Sequence, residues 1–207
     1  PAALVAAALA GIAAEAWVRR SRATPAERIG AVAGDELMSA PLWQATRATT
    51  IAAPAAAVWP WLVQMGFPTH RAGWYTPYWM DRLLFGIRAR SADRLVPALQ
   101  HLALGDVVPD SDSGASFFTV ARLDRGTALV LRSHTHPLPI YRDVDFTWAF
   151  ALREDPRGTR LVMRARVRYT PVWPAWIVGV IVRAGFGLGD VVQAGAMLHG
   201  IRRRAEG

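Results

Sequence analysis

Two histidines form the pair of side chains in this chain that most suggests a metal site. His134 and His136 are separated by one residue, and alternate residues of a strand point the same way, so the two rings could share an ion. The nearest further ligand would be Asp143 or Asp145, and a His-x-His pair without a third ligand is a weak signal. We therefore expect a solvated loop here, with no metal ion and no cofactor.

A second group of side chains could bind a ligand instead of a metal. Six residues crowd the loop that follows an early helix: Arg71, Trp74, Tyr75, Tyr78, Trp79 and Asp81. Aromatic rings can supply the apolar wall of a binding site, while tyrosine and aspartate orient a polar group. Alternatively, Trp74 and Trp79 belong to the core or cover one end of a sheet. We predict that this group lies at the mouth of a cavity.

Four more candidates lie on predicted strands, on the faces that point inward. They are Phe118, Trp148, Phe150 and Met163. In any sheet protein such residues form the core, and in a protein with an internal cavity the same residues face the ligand. The predicted ligand-binding set therefore comprises these four and the six loop residues. Within it, we expect Arg71, Tyr75 and Asp81, together with His101, to orient a polar group.

Sequence motifs for common enzyme chemistries are not found. The chain has no Ser-His-Asp order, paired-carboxylate motif, phosphate-binding glycine loop or dinucleotide fingerprint. Asp106, Asp110 and Asp112 form an acidic loop without the glycine and terminal glutamate of a calcium loop. We expect a binding module in preference to an enzyme. If the protein is an enzyme, His134, His136 and Asp81 are the acid–base candidates.

Composition excludes further classes of protein. The chain has 207 residues, which suits one domain with an appendage. It contains no cysteine, so disulfides and cysteine-based metal sites are excluded. All 24 basic residues are arginine, and the formal net charge is +8. The arginines are dispersed and no nucleic-acid-binding signature accompanies them, so we expect no nucleic-acid partner.

The first 18 residues are apolar apart from Glu15, and three arginines follow at residues 19, 20 and 22. As a helix this segment would extend about 27 Å, near the thickness of a bilayer core of about 30 Å. We predict a hydrophobic helix over residues 1–22 that anchors the protein in a membrane, with the domain on the cytoplasmic side. The alternatives are a helix packed on the domain of a soluble cytoplasmic protein, and a cleaved signal peptide.

The rest of the chain divides into a linker over residues 23–45 and a domain over residues 46–207. In the linker, Thr24 is placed to cap a short helix that starts at Pro25. In the domain we predict a strand at 46–51, a helix at 55–65 that restarts or kinks at Pro60, and a second short helix at 79–84. Short strands follow at 106–108, 116–122 and 127–132.

The clearest sequence pattern is a hairpin of two strands near the C-terminus. Residues 143–152 alternate apolar and polar side chains, and so do residues 159–169 after a turn at 155–158. In the second strand, arginines 160, 164, 166 and 168 share one face, which we expect to be in water. After apolar residues 174–182, glycines at 185, 187 and 189 predict a kink or break, and Asp190 is placed to cap a terminal helix with an apolar stripe.

The order of these elements resembles the START-like superfamily, also called SRPBCC, the group of polyketide cyclases and lipid-transport proteins. The resemblance rests on the succession IAAPAAAVWPWLVQMG, RAGWY and WMDRLL, on TWAFAL and TRLVMRARV in the hairpin, and on the ending MLHGIRRRAE. It covers residues 46–206 and is greatest to small bacterial members that often carry a hydrophobic N-terminal segment. The glycines at 185–189 depart from the smooth helix of the family.

The resemblance implies an α+β protein with a helix-grip fold. A curved antiparallel sheet would wrap around a long C-terminal helix, with two short helices after the first strand. Members bind lipids, sterols, polyketides or other hydrophobic molecules, and some are cyclases or hydrolases. We therefore expect a hydrophobic or lipid-like ligand in a cavity between the sheet and the helix, near a membrane. The alternatives are an enzyme of cyclase, dehydratase or hydrolase type in that cavity, and a membrane-tethered structural or partner-binding domain with the cavity filled.

Overall fold

The protein is α+β, with six antiparallel strands in one curved sheet and a helical C-terminus. The structure is a computed structural model that describes residues 22–136 and 139–207, without the side chains of residues 84, 85 and 183–191. The strands are β1 Trp43–Ile51, β2 Val107–Pro109, β3 Phe117–Asp124, β4 Ala128–Ser133, β5 Tyr141–Asp155 and β6 Gly158–Pro171. Their order across the sheet is β1-β6-β5-β4-β3-β2. The predicted α+β class, curved sheet and C-terminal helix are confirmed.

Two short helices follow the first strand, as predicted. The helices are α1 Pro25–Ile29, α2 Ala55–Val63, α3 Tyr78–Phe85, α4 Ala175–Gly189 and α5 Gly195–Glu206. Thr24 caps α1 in a capping box with Glu27. Gly86 ends α3 in the left-handed conformation. The helix containing Pro60 is a single element, so of the two alternatives the restart is wrong and the kink stays a prediction.

The C-terminal helical run differs from the prediction. We expected a kink or break at the glycines of residues 185–189 and a new helix capped by Asp190. Instead α4 continues to Gly189, and a π-helical turn at Asp190–Ala194 joins it to α5. Asp190 therefore lies inside the helical run and not at the start of a new helix. A π turn accommodates one extra residue without ending a helix, which keeps the apolar stripe of α5 on the sheet.

The core lies between the inner face of the sheet and helices α2 and α5. Leu161 and Met163 of β6 pack there with Phe150 of β5, and each is fully buried. From α5, Leu198 and Ile201 of the predicted stripe reach the same cluster. This closed core occupies the half of the sheet nearest the β5–β6 turn, since Phe150 and Met163 are direct partners across the two strands.

The outer face of the sheet is covered by the segment before β1. Arg164 is 2% exposed and donates to Asp35 Oδ2 at 2.5 Å and to the carbonyl oxygen of Glu27 at 2.7 Å. Arg160 donates to both carboxylate oxygens of Glu27, at 2.7 and 2.9 Å. The expectation that this arginine face lies in water is therefore wrong for these two residues, and also for Arg166, which donates to the carbonyl oxygens of Asp35 and Met38. Carboxylates and carbonyls of residues 24–38 replace water as their partners.

The predicted hydrophobic helix over residues 1–22 lies outside the described residues, apart from Arg22. Within residues 22–136 and 139–207, no helix has the length and apolarity needed to cross a bilayer. The membrane anchor therefore stays a prediction, and so do the boundaries of the linker and the domain.

Candidate functional site

A cavity of about 860 Å³ opens between the sheet and the C-terminal helical run. Its sheet side is formed by β1, β3, β5 and β6, and its helix side by Ile181 and Val182 of α4 and Gln193 and Ala194 of the π turn. The loops around α3 and β2 complete it. Such a volume lies within the range of small-molecule sites. The cavity occupies the half of the sheet opposite the closed core.

The register of the β5–β6 hairpin determines where the cavity begins. Phe146 pairs with Val167 and Trp148 pairs with Ala165, and all four side chains line the cavity. The next pair on the same face is Phe150 with Met163, which belongs to the closed core. Alanine at 165 leaves room for the indole of Trp148 across the strands. The small partner thus allows a large flat ring to lie along the sheet instead of filling the space.

Trp74, Phe118 and Trp148 form the aromatic centre of the cavity. The ring centroids of Trp74 and Trp148 are 5.3 Å apart, and that of Phe118 lies 6.0 Å from Trp74 in an edge-to-face arrangement. These separations fall within the favourable range for aromatic pairs. Each ring comes from a different part of the chain, so the three hold one another in place and form a rigid apolar surface.

Trp74 is positioned by its neighbour Tyr75, which is a structural residue. Tyr75 has a φ of 61°, and its hydroxyl donates to the carbonyl oxygen of Trp61 at 2.9 Å. Its backbone N–H donates to Ser91 Oγ at 3.0 Å. Gly200 of α5 lies directly against its carbonyl, where an added Cβ would come within 1.9 Å. Only glycine at 200 lets the helix approach this strained turn.

Asp81 is the most deeply buried carboxyl group among the described residues of the cavity wall. It is 4% exposed and accepts a short hydrogen bond from the hydroxyl of Thr76. Burial raises the pKa of the Asp81 carboxyl, and the hydrogen bond from Thr76 opposes that shift. A carboxyl of this kind can donate a proton when neutral and accept one when ionised.

His136 and Asp110 lie on the wall near the β3 end, and they bind each other. His136 Nε2 is 3.0 Å from Asp110 Oδ2, and His136 Nδ1 is 2.7 Å from Ser133 Oγ. The Ser133 hydroxyl lies 2.6 Å from the carbonyl oxygen of Phe117, to which it donates. Ser133 is buried away from the cavity lining. The three residues have the types of a hydrolase triad, but they act to fix the loop after β4.

The structure places four of the ten predicted ligand-binding residues on the cavity wall. These are Trp74, Asp81, Phe118 and Trp148. The other six are not part of that wall. Phe150 and Met163 are in the closed core, and Trp79 is 59% exposed. Whether any of the ten contacts a ligand stays a prediction.

The remaining loop residues have structural partners. The guanidinium of Arg71 donates to the carbonyl oxygens of Met65 and Val63 at 2.6 Å each, next to the end of α2. The Tyr78 ring lies 4.3 Å below the guanidinium of Arg90. His101, expected to help orient a polar group, is exposed. Arg71 and Tyr78 thus stabilise the loop that carries Trp74.

The two histidines of the His-x-His pair have different partners. His134 Nδ1 lies 3.1 Å from the carbonyl oxygen of Val144, whereas His136 binds Ser133 and Asp110. Among the residues that the structure describes, no group of three histidine, cysteine or acidic side chains could hold a metal ion.

Several cavity residues were not in the predicted set. Val144 and Phe146 share the face of Trp148 by the period of two, so the pattern could have included them. The pairing of His136 with Asp110 joins two loops that are 26 residues apart, and no local signal connects them. The positions of Gln193 and Ala194 at the cavity depend on the path of the helical run, and the glycines made that path hard to predict from the sequence.

Comparison with protein-family models gives no match, and neither does comparison with curated proteins. Comparison with solved structures gives matches of low similarity. Protein MLL2253 from Mesorhizobium loti is 16% identical, with 78% of this chain and 96% of that chain covered and a TM-score of 0.46. Protein NE0264 from Nitrosomonas europaea is 15% identical over 80% of this chain and 95% of that chain, with a TM-score of 0.45. CalU16 from Micromonospora echinospora is 16% identical over 79% of this chain and 83% of that chain, with a TM-score of 0.36.

Proposed function

We propose that this protein binds a hydrophobic or lipid-like small molecule between its sheet and its C-terminal helices, as START-like proteins of the helix-grip fold do. The observation that carries the proposal is the cavity of about 860 Å³ beside a closed core. A chain that had no ligand would be more stable with this space filled, because unfilled apolar volume lowers stability. The cavity wall instead combines the rings of Trp74, Phe118 and Trp148 with the small residues Ala165 and Ala194.

Apolar burial would supply the affinity. Each square ångström of apolar surface removed from water contributes about 25 cal/mol, and part of that gain is lost in immobilising the ligand. The rings of Trp74, Phe118 and Trp148 are already packed on one another, so little further ordering would be needed on binding. A few polar side chains at one end, among them Asp81, would orient the ligand.

Native mass spectrometry of the gently purified protein tests the proposal. We expect a bound molecule that dissociates under activation and is identified from its mass. Ala165→Phe, which places a ring into the cavity beside Trp148, should abolish this species. Thr170→Phe is the matched control, because Thr170 is exposed on the same strand. A protein that never carries or takes up a hydrophobic molecule would overturn the proposal.

A second candidate is an enzyme of cyclase, dehydratase or hydrolase type that acts on a hydrophobic substrate in the same cavity. Its support is Asp81, a buried carboxyl with a raised pKa on the wall. His136 supports it less, because both ring nitrogens already have protein partners. Once a ligand is identified, Asp81→Asn would separate the two functions. If the protein is a binder, neither it nor the variant converts the ligand. If it is an enzyme, the variant still binds the substrate but no longer converts it.

The membrane association and the cytoplasmic orientation of the domain remain proposals that rest on the sequence of residues 1–22. The test is fractionation of cells that express the chain with and without this segment. Recovery of the full chain in the membrane fraction, and of the shortened chain in the supernatant, is the expected result. A full chain that stays in the supernatant would contradict it. A partner-binding role with a filled cavity has no support in the geometry.

A further inference from the structure

One oxygen of the Asp81 carboxyl group faces the cavity without a hydrogen-bond partner. Oδ1 accepts from the hydroxyl of Thr76, and no described residue donates to Oδ2. The buried side-chain atoms that lack a partner in the described part of the chain are the indole nitrogens of Trp74 and Trp148. Oδ2 is not among them, so it has accessible surface. Because Asp81 lines the cavity and is only 4% exposed, the space that Oδ2 faces is the cavity.

The structure holds this carboxyl group in a fixed position. The backbone N–H of Asp81 donates to the carbonyl oxygen of Pro77 at 3.1 Å, and the Asp81 carbonyl oxygen accepts from the N–H groups of Gly86 and Ile87. The hydrogen bond from Thr76 restrains the side chain itself. A group that is already fixed loses little conformational freedom when a ligand binds, so a hydrogen bond to Oδ2 would add to affinity with little entropic cost.

The other two described carboxyl groups of the lining differ from Asp81. Asp110 Oδ2 lies 3.0 Å from His136 Nε2, and Asp112 Oδ1 accepts from the hydroxyl of Thr69 at 2.7 Å. Both residues are less buried than Asp81 and keep access to water. A ligand that fills the cavity would instead displace water from Oδ2 of Asp81. Leaving a buried oxygen unpaired is costly, so such a ligand should bring its own donor.

The chemistry of Asp81 restricts what kind of donor fits. A carbonyl or ether oxygen cannot donate to a carboxylate. An ammonium group can, but its transfer from water into an apolar cavity costs far more than that of a hydroxyl. A hydroxyl donates to the carboxylate and also accepts from the protonated acid, so it fits both states of the group. Burial raises the pKa of Asp81, which increases the share of the protonated state at any given pH.

We infer that the cavity takes an apolar alcohol, a molecule with a hydrocarbon body and a hydroxyl group that hydrogen-bonds to Oδ2 of Asp81. This inference rests on the proposed function and specifies the ligand class of the same site. It places the hydroxyl at the α3 side of the cavity and the hydrocarbon body along the rings of Phe118 and Trp148.

The test uses four ligands with equal numbers of non-hydrogen atoms: decanol, decylamine, methyl nonyl ether and undecane. Dissociation constants are measured for the unaltered full chain and for Asp81→Leu, which keeps the size of the side chain and removes both oxygens. The substitution should weaken decanol by about tenfold, the value of one hydrogen bond to a charged group. It should leave the ether and undecane no weaker, because no carboxylate oxygen then loses its water. Asp81→Asn keeps a polar group and should weaken decanol by less.

Asp112→Leu is the matched control, because Asp112 is also a carboxyl residue of the cavity lining but is exposed and bound to Thr69. It should change decanol by less than about twofold. Carbon-13 nuclear magnetic resonance of the Asp81 carboxyl group in the unaltered protein gives a reading that does not depend on how the variants fold. Its signal should move when decanol saturates the protein and should move less with the ether.

The outcomes separate this inference from the proposed function. If none of the four molecules binds, the proposed function fails. If they bind but Asp81→Leu weakens decanol and undecane equally, or Asp112→Leu weakens decanol as much as Asp81→Leu does, the function stands and the inference is overturned. An Asp81 carboxyl signal that responds equally to decanol and the ether would overturn it as well. So would tighter binding of decylamine than of decanol.

Discussion

Residues of β6 point alternately to the inner and the outer side of the sheet, and different parts of the molecule lie against the two sides. On the inner side, Ala165 and Val167 face a cavity of about 860 Å³. On the outer side, Arg164 and Arg166 are covered by residues 24–38 and share the carboxylate of Asp35. One face of the strand thus leaves apolar surface open to a ligand, and the other encloses charge within the protein itself.

The difference shows that side-chain polarity is a poor guide to burial in this protein. Arg164 is almost completely buried, with four hydrogen-bond partners for its guanidinium: Thr46, Asp35 and the carbonyls of Glu27 and Arg28. Buried charges are tolerated where they are fully paired. Arg168, on the same face, is half exposed and binds Asp145. The outer face therefore serves stability, and the inner face near Trp148 is available for function.

The largest effect should come from the outer face. Arg164→Met removes one of the two arginines that bind the Asp35 carboxylate and leaves the carbonyl oxygens of Glu27 and Arg28 without this buried donor. We expect the free energy of unfolding to fall by about 3–5 kcal/mol. Arg168→Met is the control and should cost about 1 kcal/mol or less, because Arg168 is half exposed and Asp145 keeps its two hydrogen bonds from Arg132. Urea unfolding of the two variants measures both values. Equal losses would refute the distinction between the covered and uncovered parts of the face.

Aromatic residues on the inner face should differ in how much they contribute to the free energy of unfolding. Phe150→Ala removes a ring from the closed core and should lower the free energy of unfolding by about 3–4 kcal/mol. Phe146→Ala, on the same face of the same strand, should cost about 1–2 kcal/mol, because one side of that ring already faces open space. Thermal or urea unfolding of both variants compares them. If Phe146→Ala were as costly as Phe150→Ala, the ligand-free cavity would have to be closed in solution.

Acid should weaken the contact between α1 and the sheet. The hydrogen bond with Arg160 lowers the pKa of Glu27 from 4.5 to about 2, against the opposing effect of burial and with further help from Thr24. Because the folded-state pKa is the lower one, this stabilisation is present above about pH 4.5 and is lost as the pH falls towards 2.

Glu27→Gln should therefore reduce stability at neutral pH by about 1–2 kcal/mol, after allowance for solvent screening, and flatten the acid dependence. Unfolding titrations at a series of pH values measure this. Glu36→Gln is the control: it removes a more exposed carboxylate that binds Arg122 and should have a smaller effect. An unchanged acid profile in Glu27→Gln would contradict the prediction.

The smallest effect should come from the acidic end of the cavity. Burial raises the pKa of Asp81, so its ionised form is disfavoured in the folded state and stability rises as the pH falls through that pKa. Asp81→Asn keeps an acceptor for Thr76 and removes the charge. We expect a gain of less than about 1 kcal/mol at neutral pH and none at acidic pH. Differential scanning calorimetry at both pH values checks this, and a loss of stability at neutral pH would count against it.

Much of the fold could be predicted from local patterns. The period of two in β5 and β6 predicted which residues point inward, and this follows from strand geometry alone. Thr24, Pro25 and Glu27 predicted the start of α1, because a capping box needs only neighbouring residues. The glycines before Asp190 predicted a kink or break, but α4 continues through them to Gly189, because glycine only weakly disfavours a helix.

The candidate site was less predictable than the fold. Trp148 and Phe150 are both inward-facing aromatics of one strand, and no sequence feature distinguishes the one on the cavity wall from the one in the closed core. The arginines of β6 have the pattern of a solvated face, and the segment that covers Arg164 lies 129 residues from it at Asp35. Contacts over such separations depend on where whole elements pack.

The sequence by itself determined the elements of this protein and the direction in which their side chains point, because helix and strand periods, caps and turns are properties of neighbouring residues. Only the tertiary structure decided which of the inward-pointing residues line the cavity and which fill the closed core. That division depends on the register that pairs Trp148 with Ala165, and on the close approach of Gly200 to Tyr75 beside Trp74.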